Sequence, residues 1–147
     1  MASLSQLTSA DLTLATEFVK AYFLHDLLVF DDAVHQAVGQ LLEDPSLGRF
    51  WVIESDGERC GYIVLTFGFD HEFGGRIGLV TDFFLVESAR GAGLGTNAME
   101  LVLAEAKSLG LKAVELYVLD HNNRARDFYR RFGFSEVDGR APMSLQF

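Results

Sequence analysis

The stretch Val86-Glu87-Ser88-Ala89-Arg90-Gly91-Ala92-Gly93-Leu94-Gly95-Thr96 constrains this chain more than any other. Before it, Leu79 to Val86 is apolar on both faces apart from Thr81 and Asp82, the pattern of a central strand covered on both sides. After it, from Thr96 to Leu109, Ala98, Met99, Val102, Leu103 and Ala106 recur at helical spacing. A glycine-rich turn therefore joins a buried strand to the start of an amphipathic helix. A helix start offers unpaired N–H groups and a partial positive charge. Gly91, Gly93 and Gly95 lack the Cβ that would keep an anion off the backbone. The turn reads as a cradle for phosphate or pyrophosphate.

Three cradle patterns compete. A P-loop needs lysine and then serine or threonine after its last glycine, but here Thr96 follows Gly95 with no lysine. The dinucleotide pattern G-x-G-x-x-G, started at Gly91, needs a small residue where Thr96 stands, and it normally opens its domain. The third pattern, Arg-x-x-Gly-x-Gly, fits Arg90 to Gly95. It resembles the acyl-CoA pyrophosphate loop of the GNAT superfamily of N-acetyltransferases. On the turn alone, a plain glycine turn that caps a helix remains the alternative.

A second stretch adds specificity. Asn122-Asn123-Arg124-Ala125-Arg126-Asp127-Phe128-Tyr129-Arg130-Arg131-Phe132-Gly133-Phe134 resembles that family's Asn-x-x-Ala-x-x-Phe/Leu-Tyr-x-x-x-Gly-Phe segment. The two motifs stand in the family's order, with a strand and helix between them. The resemblance covers about Arg59 to Phe134, and the order of elements extends it to the whole chain. Thr81-Asp82-Phe83-Phe84-Leu85, followed by Arg90, is also similar to diamine and spermidine acetyltransferases. Those enzymes usually carry a glutamate where Thr81 stands, and that acid helps bind the polyamine. Their substrate therefore does not carry over.

The resemblance implies acetyl-CoA as cosubstrate and assigns roles to residues. The backbone of Phe83, Phe84 and Leu85 would pair with the pantetheine amides as an added strand does. Backbone N–H groups of Gly91, Ala92, Gly93, Leu94, Gly95 and Thr96 would hold the pyrophosphate, with Arg90 adding charge. Asn122 and Ala125 would lie at the pantetheine arm, and Asn122 can also cap a helix. Tyr129 matches the family's general acid for the leaving thiolate, against the plainer reading of a core tyrosine. The general base is read from position. Asp82 is a carboxylate in an otherwise apolar strand, which needs a reason. An aspartate satisfied by nearby backbone donors is the competing reading, and His121 is the weaker base candidate.

The remainder of the chain reads as helix and strand in alternation. Leu4 to Leu7 suggests a first strand. Thr8 or Ser9 caps a helix reaching His25, and Asp31 or Asp32 caps a second helix, Ala33 to Glu43. Phe50 to Ser55 and Arg59 to Phe67 form a hairpin about Asp56-Gly57-Glu58. Gly68 to Gly75 reads as a longer loop. Ala113 to Leu119 is a strand, and Arg124 to Phe132 a short helix. Phe134 to Phe147 is expected to hold a last pair of strands, broken near Gly139 to Pro142. The order β-α-α-β-β-β-α-β-α-β-β predicts an α/β fold, a GNAT-like mixed sheet flanked by helices, in a single N-acetyltransferase domain over residues 1–147.

Composition narrows the function classes. The net charge of −9 argues against nucleic acid as a main partner and mildly favours a cationic one. No apolar run reaches the roughly 20 residues of a membrane span, and the N-terminus lacks a signal-peptide pattern. One cysteine, Cys60, permits no internal disulfide, so the expected compartment is the cytoplasm. The histidines lack metal-ligand spacing, and no metal is expected. The expected activity is transfer of acetyl to a primary amine on a cationic small molecule. Asp26, Asp31, Asp32, Asp70 and Glu72 in loops, with Asp82, would attract such an acceptor. A protein N-terminal or lysine acetyltransferase and a non-catalytic acyl-CoA-binding module are the alternatives. A homodimer is left open.

Overall fold

A computed structural model describes all residues, Met1–Phe147. Strands β1 (Ser3–Gln6), β2 (Gly48–Ser55), β3 (Glu58–Asp70), β4 (Gly75–Leu85) and β5 (Ala113–Leu116) form one sheet in that spatial order. The first three pairings are antiparallel and β4–β5 is parallel. The helices are α1 (Leu12–His25), α2 (Asp32–Glu43), α3 (Leu94–Ser108) and α4 (Asn123–Arg130). The expected mixed sheet flanked by helices is present. The chain divides into two units, Met1–Tyr117 and Val118–Phe147.

Within the first unit, strand alternation sends side chains to two cores. Phe50, Val52, Tyr62, Val64 and Phe84 pack with Ala15, Phe18 and Val19 of α1 and Val38 of α2. Ile53 and Cys60 pack with Ala98 of α3, with Phe83 and Leu85 of β4 against them. The β2–β3 hairpin turns at Asp56 and Gly57, with φ of 52° and 79°, the left-handed pair of a type I′ turn. Thr8 and Asp11 form a capping box ahead of α1, and the Asp31 side chain caps α2.

Several boundaries differ from the sequence expectation. Half of the Gly68 to Gly75 loop is strand, because Gly68, Phe69 and Asp70 pair with Ile77, Arg76 and Gly75. Only His71 to Gly74 turns. Pairing partners, not local composition, decide that boundary. Strand β5 stops at Leu116 rather than Leu119, where its ladder with β4 ends. Helix α3 starts at Leu94, before Thr96. The last pair of strands expected over Phe134 to Phe147 is absent. In the second unit, the Phe134 ring instead packs 5.8 Å from the Tyr129 ring. Glu136 pairs with Arg126 at 2.9 Å and Arg130 at 3.1 Å. Beyond that, Met143, Leu145 and Phe147 are exposed, so no pleated surface gains a buried face.

Candidate active site

Strand β4 positions the site by changing its pairing twice. First, Val64 pairs with Asp82 but Leu65 pairs with Val80, so Thr81 is an extra residue, a β-bulge. Asp82 and Phe84 then face α1, opposite Val64 and Tyr62. Second, β5 pairs with β4 only from Ile77 to Val80. The Val86 N–H donates to the Cys60 carbonyl at 2.9 Å, and alternation turns the backbone groups of Phe83 and Leu85 away from β3. They face the edge that β5 has left. This is the strand segment to which the sequence assigns the pantetheine arm.

Asp82 does not stand alone in its apolar strand. The Tyr62 hydroxyl donates to its Oδ2 at 2.8 Å. Burial raises the Asp82 carboxyl above the usual aspartate range, hydrogen bonding to Tyr62 and Thr81 opposes this, and the Asp26 charge adds to the rise. Burial, and then the charge of Asp82, raise the Tyr62 hydroxyl far above its ordinary range, so it stays a donor. Tyr62 is fully buried, stacked on Phe50 at 5.0 Å and packed against Phe18, Tyr22 and Phe84. Such packing fixes the carboxylate. Sequence reading missed Tyr62. The available signal was a polar-tipped residue in an apolar run, as with Asp82 itself.

The glycine turn follows. Glu87–Ala89 makes a single 3₁₀ turn, then Gly91 and Gly93 take φ of 80° and 79°. A Cβ at either would meet nothing within 4 Å, so the space outside the turn is open. Gly93 caps α3 without any side-chain hydrogen bond. The first bond of the helix runs from the Asn97 N–H to the Gly93 carbonyl. The N–H groups of Leu94, Gly95 and Thr96 lie in the first turn and have no acceptor within the helix. Gly95 sits inside that turn, and Ala92 lies between the two left-handed glycines. A helix start with open donors and no side chain in front of them favours an anion.

Arg90 lies against the end of α1. Its Nε donates to the Leu85 carbonyl at 3.0 Å, its Nη1 is 3.4 Å from His25 Nε2, and its guanidinium sits 5.7 Å over the Phe84 ring. His25 Nδ1 is 2.9 Å from Asp26 Oδ1. Of the loop acids, Asp26 is therefore the one whose charge reaches Asp82 and Tyr62. Asp31 is spent on capping α2, and Asp70 accepts from the Glu72 N–H at 2.8 Å. The adjoining corner exposes Leu24, Leu27 and Val29.

In the second unit, Asn122 caps α4, its Oδ1 accepting from the Ala125 N–H at 3.0 Å. That bond occupies the Ala125 donor and leaves the Asn122 amide NH₂ as its remaining polar group. Tyr129 is half-buried against Phe128 and Phe134, and burial raises its hydroxyl above the usual tyrosine range. It is protonated at neutral pH, as a proton donor must be. His121 is exposed.

Residues 12–134 match the model of the acetyltransferase (GNAT) family. The chain is 37% identical over 59 residues to the uncharacterized N-acetyltransferase YycN of Bacillus subtilis, spanning 40% of this chain and 38% of that protein. It is 31% identical over 90 residues to the uncharacterized N-acetyltransferase MJ1207 of Methanocaldococcus jannaschii, spanning 60% and 40%. The chain thus spans about two-fifths of the length of these two curated relatives. Among solved structures, an integron cassette protein, HFX_CASS3, from the mobile metagenome of Cole Harbour Salt Marsh superposes with a TM-score of 0.83 at 33% identity, covering 97% of this chain and 89% of that one. A predicted acetyltransferase with acetyl-CoA from Clostridium acetobutylicum shares the fold, with a TM-score of 0.77 at 17% identity and coverage of 98% and 96%.

Proposed function

Because the chain belongs to the acetyltransferase (GNAT) family, we propose that it is an acetyl-CoA-dependent N-acetyltransferase acting on a primary amine of a cationic small molecule, with residues 1–147 working as one catalytic domain. The observation that carries this reading is the start of α3. Its first N–H groups have no side-chain cap, and Gly91 and Gly93 open onto empty space beside the edge of β4 that β5 leaves. Pyrophosphate rests on the N–H groups from Gly91 to Thr96, with the Arg90 charge nearby. The pantetheine arm pairs with Phe83 to Leu85, and in the second unit the amide NH₂ of Asn122 is the group offered to the cosubstrate.

The amine attacks the thioester carbonyl only when neutral, whereas a lysine-like amine has a pKa near 10.4. Asp82, buried and held by Tyr62, takes up its proton. The backbone N–H near Leu85 stabilises the oxyanion of the tetrahedral intermediate. As the C–S bond breaks, Tyr129 protonates the leaving thiolate, and the acetyl group stays on nitrogen. Asp26 and Asp82 together favour a cationic acceptor.

An acetyl-CoA turnover screen against polyamines, aminoglycosides, amino acids and peptides tests the proposal. A cationic small amine is expected to give the highest kcat/KM, with rates depressed by salt. An acidic amino acid or a peptide as best substrate overturns the acceptor class. In the same assay, Tyr129→Phe should lower kcat by on the order of 10²-fold with acetyl-CoA affinity nearly unchanged. Wild-type turnover removes Tyr129 from the mechanism, and absence of turnover with retained binding points to an acyl-CoA-binding module.

A further inference from the structure

We propose that His25 is a positioning residue for Arg90, held in its Nδ1–H tautomer by Asp26, and that it ties the end of α1 to the cosubstrate turn. The inference rests on the reading of Arg90 as part of the acyl-CoA site. Arginine carries only donors. With Arg90 Nη1 3.4 Å from His25 Nε2, that ring nitrogen accepts, so the imidazole is neutral and its proton sits on Nδ1. Nδ1 in turn lies 2.9 Å from Asp26 Oδ1, the acceptor that this tautomer requires.

The three groups share one floor. The Phe84 ring meets the His25 ring at 5.9 Å and lies 5.7 Å beneath the Arg90 guanidinium. The Leu85 carbonyl holds the Nε end of the same guanidinium at 3.0 Å. Arg90 is thus fixed at two points, one on β4 and one on α1. With His25 absent, only Nε is held and the outer nitrogens swing. The charged and titratable groups around the ring are Asp26 at the end of α1, Arg90 from the turn, and Asp82 and Tyr62 across Phe84, both of which feel the charge of Asp26. One carboxylate therefore orients His25 and also faces the proposed base. The end of α1 borders both halves of the reaction.

Two measurements decide it. Long-range ¹⁵N–¹H correlation on the ligand-free protein reads the tautomer directly. The neutral His25 ring should be Nδ1–H in the wild type, whereas Asp26→Ala should move the proton to Nε2. Steady-state kinetics read the consequence. His25→Phe keeps a ring on Phe84 but has no acceptor, so KM for acetyl-CoA should rise about fivefold, the net worth of one typical hydrogen bond, with kcat little changed. His25→Gln, whose amide oxygen accepts from Arg90, should restore it. An Nε2–H tautomer in the wild type, or an unchanged acetyl-CoA KM in His25→Phe, overturns the proposal. If even the wild type fails to bind acetyl-CoA, the functional reading falls and the tautomer alone still decides whether His25 holds Arg90.

Discussion

At the start of α2, the Asp31 carboxylate accepts from the Val34 N–H at 3.0 Å; at the start of α3, Gly93 offers no side chain at all. Both helices begin with backbone donors that the helix itself cannot satisfy. At α2 the chain supplies the anion, and the end is finished. At α3 the chain withholds it and keeps the turn open on its outer side. Helix α4 lies between these cases, because Asn122 satisfies one donor with a neutral amide and keeps an NH₂ for other use. A helix start that carries its own carboxylate competes with an incoming phosphate, and one that carries glycine does not.

The sharpest way to break this contrast is to give α3 the cap of α2. Gly93→Asp must hold φ near 79°, where side chains are strained, and it sets a negative charge at the cradle. In thermal-shift measurements at 100 times its dissociation constant, acetyl-CoA should add about 2.7 kcal/mol of apparent stability to the wild type and nothing to this variant. An unaltered response in a folded Gly93→Asp protein means that the cosubstrate does not use the start of α3.

Removing caps should have a smaller effect and separate the two remaining helices. Asp31→Ala and Asn122→Ala should each cost roughly 1 kcal/mol of helix stability. Asp31→Ala should leave the acetyl-CoA response intact, because that cap serves folding alone. Asn122→Ala should also weaken cosubstrate binding, measured by titration calorimetry. Equal acetyl-CoA affinity in both variants reduces Asn122 to a helix cap.

Features set by a few consecutive residues were legible in the sequence. The glycine turn, the Asp31 cap and the Asp56-Gly57 hairpin depend on local backbone preference, and each lies where the pattern places it. Asp82 was legible as a misfit, a charge in an apolar run. Its partner was not, because Tyr62 meets Asp82 only through the offset register of β3 and β4. The Arg90–His25 contact spans 65 positions and joins a helix end to a loop, so no spacing rule points to it. The end of β5 and the fate of Phe134 to Phe147 depend on whether a neighbouring edge is present, which composition does not encode.

The bulge at Thr81 makes the position of Asp82 a matter of parity. Side chains along a strand alternate, so a count from Val80 would place Val80 and Asp82 on one face. Thr81 is exposed and skipped by the register, and this one unpaired residue sets Asp82 opposite Val64 instead of continuing the phase of Val80 opposite Leu65. What the site requires of position 81 is therefore that it stay out of the ladder. Deleting the residue would leave a regular ladder with Asp82 still opposite Val64, whereas drawing Thr81 into the ladder opposite Val64 would move Asp82 opposite Ile63 and bring Phe83 against Tyr62. Which side of the sheet carries the carboxylate is thus decided by whether one residue joins the ladder, and that residue also bonds the carboxylate it displaces.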